Sequence, residues 1–421
     1  MKTTGFVIIL AVIIGIVGGC WAMEEAAAEQ KLSKEIIVEG NNKFALELYG
    51  KLRNEEGNLF FSPYSISTAL ALTFAGARGR TESQMAETLH FPVGENPNGE
   101  LSVLESDRQQ FASMFGKIIS DLNERGEKGG YQLTVANALW PQEGYEFLDV
   151  FLEIIKTKYD GRLKEVDFIK ATEEARKTIN DWVEDKTNDK IKELIKPGLL
   201  DSMTRLVLTN AIYFKGNWAR QFEEDKTREA PFTLTSDKKV NVPMMNQTAE
   251  FNYLESDCLQ ALELPYVDEE LSLIILLPKD YKGLGELEKI LDEENLSEWL
   301  GGLHKRKVIV SIPKFKMTSQ FSLATVLKSM GMVDAFTDAA DFSGMNGSRE
   351  LSISAVIHKA YVDINEEGTE AAAATAVTMR LTSVGPTPTP VFRADHPFLF
   401  LILDNLSGSI LFIGRQMNPS M

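Results

Sequence analysis

Cysteine is nearly absent: the 421 residues hold two, Cys20 and Cys258. No framework of several disulfides can staple this fold, and at this length a hydrophobic core suffices without one. Histidine is scarce as well, with His90, His304, His358 and His396 the whole set. The sequence has no His-Glu-x-x-His pair for zinc, no Gly-x-Ser-x-Gly nucleophile elbow and no Gly-Lys-Ser/Thr phosphate loop. Asp395 and His396 are adjacent, so on a strand they would point to opposite faces and could not form a triad pair. No cofactor, no metal and no catalytic residues are therefore expected. Positive charge is also in deficit. Lysine and arginine number 44 against 61 acidic residues, a net charge of -17, so phosphate backbones are repelled and nucleic acid is excluded as a partner. The longest basic block, His304-Lys305-Arg306-Lys307, reads as a solvated strand entrance, and no helix carries a heparin-type basic stripe.

Long apolar runs are missing except at the start. Lys2 precedes Phe6 to Val17, a run short for a membrane span and laid out as a secretory signal. It ends in Val17-Gly18-Gly19-Cys20, which is similar to the bacterial lipobox whose cysteine is lipidated after cleavage. Two alternatives stand beside lipidation of Cys20: cleavage of an ordinary signal near Ala22, or an uncleaved anchor. Residues 1–22 are read as the signal, 23–34 as a polar tether and 35–421 as one domain. The expected location is extracytoplasmic, either secreted or lipid-anchored at the cell surface.

Within 35–421 no internal repeat and no Gly/Ser linker divides the chain. Helical spacing marks Ser33 to Asn54, and Ser62-Pro63 is a strong helix start. Thr81-Glu82-Ser83-Gln84 reads as a capping box. Helices are expected over 108–124, 147–159, 172–186 (with Trp182 as an anchor) and Leu284 to Trp299, and another opens at Ser319-Gln320-Phe321. Strands are expected at Tyr131 to Trp140, Arg205 to Phe214, Lys239 to Met245, Leu259 to Leu264, Leu271 to Leu277, Val308 to Phe315, Val356 to Asn365 and Phe398 to Asp404. Leu271 to Leu277 is almost wholly apolar, as for a strand covered on both faces. Helices early and strands late give an α+β class.

Between the last two of those strands lies residues 366–390, a connection of roughly 25 residues, far longer than usual in a compact domain. Its first half runs Glu366-Glu367-Gly368-Thr369-Glu370-Ala371-Ala372-Ala373-Ala374-Thr375, and after Glu370 no charge appears until Arg380. As a strand, Thr369, Ala371, Ala373, Thr375 and Val377 would share a narrow uncharged face able to enter a sheet. Composition alone favours a flexible linker or a surface helix, because alanine is a poor strand former.

Together with His358-Lys359-Ala360, this stretch resembles the reactive-loop hinge of the serpin family. Further likeness lies in Asn58 to Phe91, Leu208 to Trp218, Val242-Pro243-Met244-Met245, Ile312-Pro313-Lys314-Phe315 and Phe392 to Phe400, so it covers everything after the leader. The leader itself is lipoprotein-like and of prokaryotic type. The resemblance implies three β-sheets, eight to nine helices and an exposed reactive-centre loop. It places Ser62, Ser65, Asn210 and His358 in the shutter that governs how the central sheet parts, and Trp218 in the breach where the loop enters. A lone histidine in the apolar stripe Val356, His358, Ala360, Val362, Ile364 is otherwise an ordinary core residue, and Trp218 otherwise a core aromatic. The implied activity is not enzymatic: a target serine protease, or a cysteine protease, cleaves the loop and is trapped as a covalent acyl-enzyme. Fourteen residues after Gly368, the reactive bond falls at Thr382-Ser383, which suits an elastase. Cleavage after Leu381 would suit a chymotrypsin-like enzyme and after Arg380 a trypsin-like one. The chain is expected to be a monomer. The alternative from another class is a non-inhibitory relative acting as a binding, carrier or chaperone protein.

Overall fold

The computed structural model describes residues 35–92, 94–95, 101–102, 108–127, 131–158, 162–368 and 388–420. Its helices are α1 (35–52), α2 (Pro63–Phe74), α3 (Gly79–Leu89), α4 (Arg108–Glu127), α5 (Asp149–Lys158), α6 (Thr172–Lys186), α7 (Leu284–Lys289), α8 (Glu293–Gly301), α9 (Ala324–Ser329) and α10 (Ser343–Asn346). The early strands are β1 (Leu59–Phe61), β2 (Gly94–Glu95), β3 (Leu101–Ser102), β4 (Tyr131–Pro141), β5 (Arg162–Leu163), β6 (Leu206–Gly216), β7 (Arg228–Thr235) and β8 (Lys238–Glu255). The later ones are β9 (Leu259–Pro265), β10 (Leu271–Pro278), β11 (His304–Pro313), β12 (Phe315–Ser322), β13 (Ala355–Ile364), β14 (Val391–Arg393), β15 (Phe398–Asp404) and β16 (Ser409–Gln416). The class is α+β.

Five strands form a central sheet in the order β12-β13-β6-β4-β5, and nine form a second sheet running β1-β16-β15-β10-β9-β8-β11-β14 with β7 on β8. A two-residue pair, β2 and β3, makes the third. The central sheet is covered on both faces. Leu206, Leu208, Ile212 and Phe214 of β6 and Val356, Ala360, Val362 and Ile364 of β13 join the main core with α2 and β16. The opposite side chains, Val207 and Ala211 of β6 with Ala355 and Ile357 of β13, lie in a second core under α6 and the segment that follows it. Every residue of α2 is buried, Ser65, Ser67, Thr68 and Thr73 included, so it is a core helix and not an amphipathic surface one.

Local chemistry explains several element ends. Ser62 is extended (φ -107°, ψ 102°), its side chain accepts from the Ser65 amide, and Pro63 sits in the first turn. The capping box at Thr81 to Gln84 does not form. Helix α3 has already begun at Gly79, and Arg78 at its N-cap makes no side-chain cap bond. Both capping side chains serve tertiary contacts instead: Thr81 Oγ1 accepts from the Asp341 amide, and Gln84 Oε1 from the Val333 and Asp334 amides. The helix expected over Leu284 to Trp299 is two, α7 and α8. Asp292, extended at its N-cap, accepts from the Asn295 amide and restarts the helix. Ser319 to Phe321 opens no helix; it continues β12, paired to β13. Asp395 and His396 also depart from expectation. They lie on no strand but between β14 and β15, where His396 Nδ1 bonds Asp395 Oδ1 at 3.0 Å and Nε2 bonds the Pro278 carbonyl at 2.8 Å. Both ring nitrogens are therefore committed, one of them to a main-chain carbonyl.

Candidate functional site: a sheet seam and its hinge

The central pair β6 and β13 is parallel, paired from Ala355 opposite Val207 to Tyr361 opposite Tyr213. Its neighbours β4 and β12 are antiparallel to it. A strand entering between β6 and β13 from a chain reversal would thus run antiparallel to both. Beyond Tyr361 and Tyr213 the pairing stops, although β6 continues to Gly216 and β13 to Ile364.

Midway along the seam sits a buried polar cluster containing all four residues singled out as a shutter. The Ser62 amide donates to His358 Nε2 at 3.2 Å, and Ser62 Oγ donates to the Leu411 carbonyl at 2.6 Å. Because Nε2 accepts, the neutral imidazole carries its proton on Nδ1 and donates it to Asn210 Oδ1. Asn210 Nδ2 in turn reaches the Ser65 carbonyl at 3.0 Å, Ser65 Oγ and Asn137 Oδ1. His358 and Asn210 are directly opposite in register, so this network ties α2 to both strands of the seam. Burial pushes the His358 imidazole down to about 3, the bond to Asn210 working the other way. It stays neutral at physiological pH. Asn137, opposite Asn210 on β4, escaped sequence reasoning because a lone asparagine mid-strand carries no local signal.

At the end of β13 the chain reverses. The Asn365 amide donates to the Gly368 carbonyl at 2.9 Å and the Gly368 amide to the Asn365 carbonyl at 3.2 Å. Gly368 then forms an antiparallel bridge with Asn217, just past β6. Its φ of +134° lies where side chains strain, and a Cβ there would meet the Gly216 carbonyl oxygen and lie 2.6 Å from Asn217 Cα, so glycine is required. Trp218 fastens the turn. Its amide donates to the Glu367 carbonyl at 3.0 Å, its Nε1 to the Asn365 carbonyl at 2.9 Å, and its ring stacks on Tyr266 at 4.7 Å between centroids.

Glu366 is 5% exposed and takes Lys314 Nζ at 2.7 Å and Thr227 Oγ1 at 2.8 Å. Burial works to raise its carboxyl, but the bonds from Lys314, its own backbone amide and Thr227 prevail and hold it below the usual range. Lys314 stands in one of the quoted motifs, yet only the fold shows that it reaches the hinge. On the outer face, Gln320 Nε2 donates to the Leu194 carbonyl at 2.9 Å and Lys359 Nζ to the Lys192 carbonyl at 2.6 Å. These two residues, paired across β12 and β13, hold the segment after α6 onto the sheet. Thr369 to Thr375 of the expected hinge, the candidate bond residues Arg380, Leu381, Thr382 and Ser383, and Cys20 lie outside the described residues.

The profile of the Serpin (serine protease inhibitor) family matches residues 39–419. The chain belongs to the serpin family. Human leukocyte elastase inhibitor is 43% identical over 396 residues, an alignment covering 91% of this chain and all of the relative. Among solved serpin structures, uncleaved ovalbumin is 31% identical with a TM-score of 0.80, covering 91% of this chain and all of that one. Human thyroxine-binding globulin complexed with its hormone is likewise 31% identical at TM-score 0.80, covering 92% and 99%. The family is one of protease inhibitors, so the expected partner of this serpin is a target protease. Among the described residues the seam combines a parallel pair with a hinge that turns the chain back at Gly368.

Proposed function

We propose that this serpin is an irreversible suicide-substrate inhibitor of serine proteases of elastase or chymotrypsin type, with cysteine proteases as a lesser class. The attacking side chain of the protease adds to the Thr382 carbonyl. The Thr382–Ser383 bond breaks, Ser383 leaves as a free amine carrying the proton that the protease supplies, and Thr382 remains as an acyl ester. Residues 369–378 then enter between β6 and β13 as a new antiparallel strand before water can hydrolyse the ester, and the protease is carried along with its site distorted. The native state is thus a kinetic trap in which cleavage releases stored stability.

The observation that carries this reading is the antiparallel bridge of Gly368 to Asn217, which turns the chain back at the end of the seam. The small uncharged face of Thr369, Ala371, Ala373, Thr375 and Val377 supports it, since a bulky or charged residue there would slow entry and let deacylation win. The second reading, a carrier or chaperone serpin, draws on the likeness to thyroxine-binding globulin. Nicking the loop with a protease that is not trapped separates the two. A trap predicts a higher thermal midpoint after the cut, because the strand inserts; an unchanged midpoint favours the carrier. The leader reading belongs here too: we place the chain outside the cytoplasm, secreted or held by lipid on Cys20, which radiolabelled palmitate incorporation into the unaltered chain but not Cys20→Ser would support.

A further inference from the structure

The exposed face of β8, β11 and β14 carries a cluster that neither the core nor the seam uses. Lys305 and Lys307 of β11 share a face with Ile309, and all three are exposed, whereas Val308 and Val310 between and after them are buried. Register puts Ile309 beside Val391 of β14 and Ser311 beside Arg393. On the other side Lys307 faces Glu250, and Lys305 faces Asn252. Ile309 is 42% exposed and Val391 52%, an apolar step of two β-branched side chains on the surface. Around it stand Lys305, Lys307 and Arg393, none in an ion pair with a carboxylate among the described residues. The face is not free of acid: besides Glu250, Glu263 lies opposite Asn252, but it accepts from Asn252 at 2.7 Å and Ser272 at 2.7 Å. On a chain of net charge -17, three cations against the two carboxylates Glu250 and Glu263 around an exposed apolar pair leave this face more basic than the chain as a whole.

Chain length says what meets this face. Ser383 to Pro390 is eight residues, which reach at most about 28 Å fully extended. A protease domain of about 230 residues has a radius of gyration of about 17 Å, hence a diameter of about 45 Å. A protease seated on the Thr382–Ser383 bond is therefore wider than its tether is long. With its tether attached at the start of β14, such a protease would overhang the surface around β14, to which this face belongs.

We propose that the face formed by Lys305, Lys307, Ile309, Val391 and Arg393 is a second docking surface for the captured protease, selecting one whose rim beside the active-site cleft is acidic with an apolar patch. The inference rests on the inhibitory reading of the loop. Docking there raises the rate of the first encounter and leaves later insertion alone, since rim charges act chiefly on association. The β-branched pair supplies the short-range contact.

The test compares the unaltered protein with the triple variant Lys305→Glu, Lys307→Glu, Arg393→Glu, and with the same charge change at Lys51, Lys156 and Lys177 on α1, α5 and α6. Each is mixed with an elastase of acidic and an elastase of basic isoelectric point, and the second-order rate of SDS-stable complex formation is followed. For the acidic elastase the face variant is expected to be about tenfold slower at 50 mM salt, the gap closing at 0.5 M as screening shortens its reach. The distributed variant is expected to show no such protease-selective loss, and the fraction of protease ending in complex should stay the same in all three. Equal rates for the face variant and the unaltered protein, with complex forming in both, overturn the docking surface while leaving the inhibitor intact. A rate difference seen only when heparin is added assigns the cations to a sulfated polysaccharide and also overturns it. No complex from the unaltered protein with either elastase, nor with chymotrypsin or trypsin, overturns both readings.

Discussion

Acid should loosen this protein through one imidazole. His358 ionises at about 6.5 when unfolded and is pushed down to about 3 in the fold by burial. The native state therefore binds fewer protons than the unfolded chain between those values. Stability from this group is fully present above pH 6.5 and is lost progressively as pH falls towards 3. Each unit corresponds to 1.36 kcal/mol, so the loss is about 2 kcal/mol at pH 5 and about 3 kcal/mol at pH 4. With an unfolding entropy near 2.1 cal/mol/K per residue, 421 residues give about 0.9 kcal/mol/K, and 2 kcal/mol shifts the thermal midpoint by about 2 °C. The fitting control is His358→Gln, which keeps a donor and an acceptor between Ser62 and Asn210 but cannot titrate. Midpoints taken by circular dichroism at one scan rate, at pH 7.5 and pH 5, should fall about 2 °C further for the unaltered protein than for the variant. Parallel falls would refute the assignment of this pH dependence to the buried imidazole.

Other perturbations follow from the same geometry. Gly368→Ala places a Cβ against the Gly216 carbonyl at a φ of +134°; strain of about 1–3 kcal/mol should open the turn, read as a lower thermal midpoint and faster oligomer formation on native gels. Lys314→Ala removes the cation from a carboxylate that is only 5% exposed. Discounted for the partly exposed lysine, the cost should be about 2 kcal/mol, below the 3–5 kcal/mol of a fully buried broken pair, and Lys314→Arg should restore most of it in urea unfolding. Thr375→Arg puts a charge on the face of residues 369–378 proposed to insert and, on the inhibitory reading, should turn the protein from inhibitor into substrate, with cleaved serpin replacing complex on an SDS gel.

Much of the scaffold was legible in the residues because it rests on local rules. Ser62-Pro63 opens α2, the apolar run Leu271 to Leu277 is β10, fully buried, and His304 to Lys307 enters β11 exposed. The face shared by Val356, His358, Ala360, Val362 and Ile364 also holds, since strand periodicity allows one answer. Where reading failed, tertiary contacts had taken the side chains that local motifs needed. Thr81 and Gln84 could have capped α3 but bond the 333–341 region. Leu284 to Trp299 keeps helical spacing across a break, because Leu287, Leu296 and Trp299 stay buried on both sides of Asp292. The site was half legible. Ser62, Ser65, Asn210 and His358 came from resemblance and meet in the structure, whereas Asn137 and Lys314 are joined to it only by strand register and by a contact 52 residues away in sequence.

On the proposed mechanism, one cleavage both traps the protease and inserts the loop. The most direct measurement incubates the protein, from residue 24 onward, with elastase and resolves the products on a boiled SDS gel with mass spectrometry of the released C-terminal fragment. The expected products are a band at the summed mass, less that fragment, and a fragment beginning at Ser383. Complete cleavage at that bond with no boil-stable complex, from elastase, chymotrypsin and trypsin alike, would contradict that mechanism.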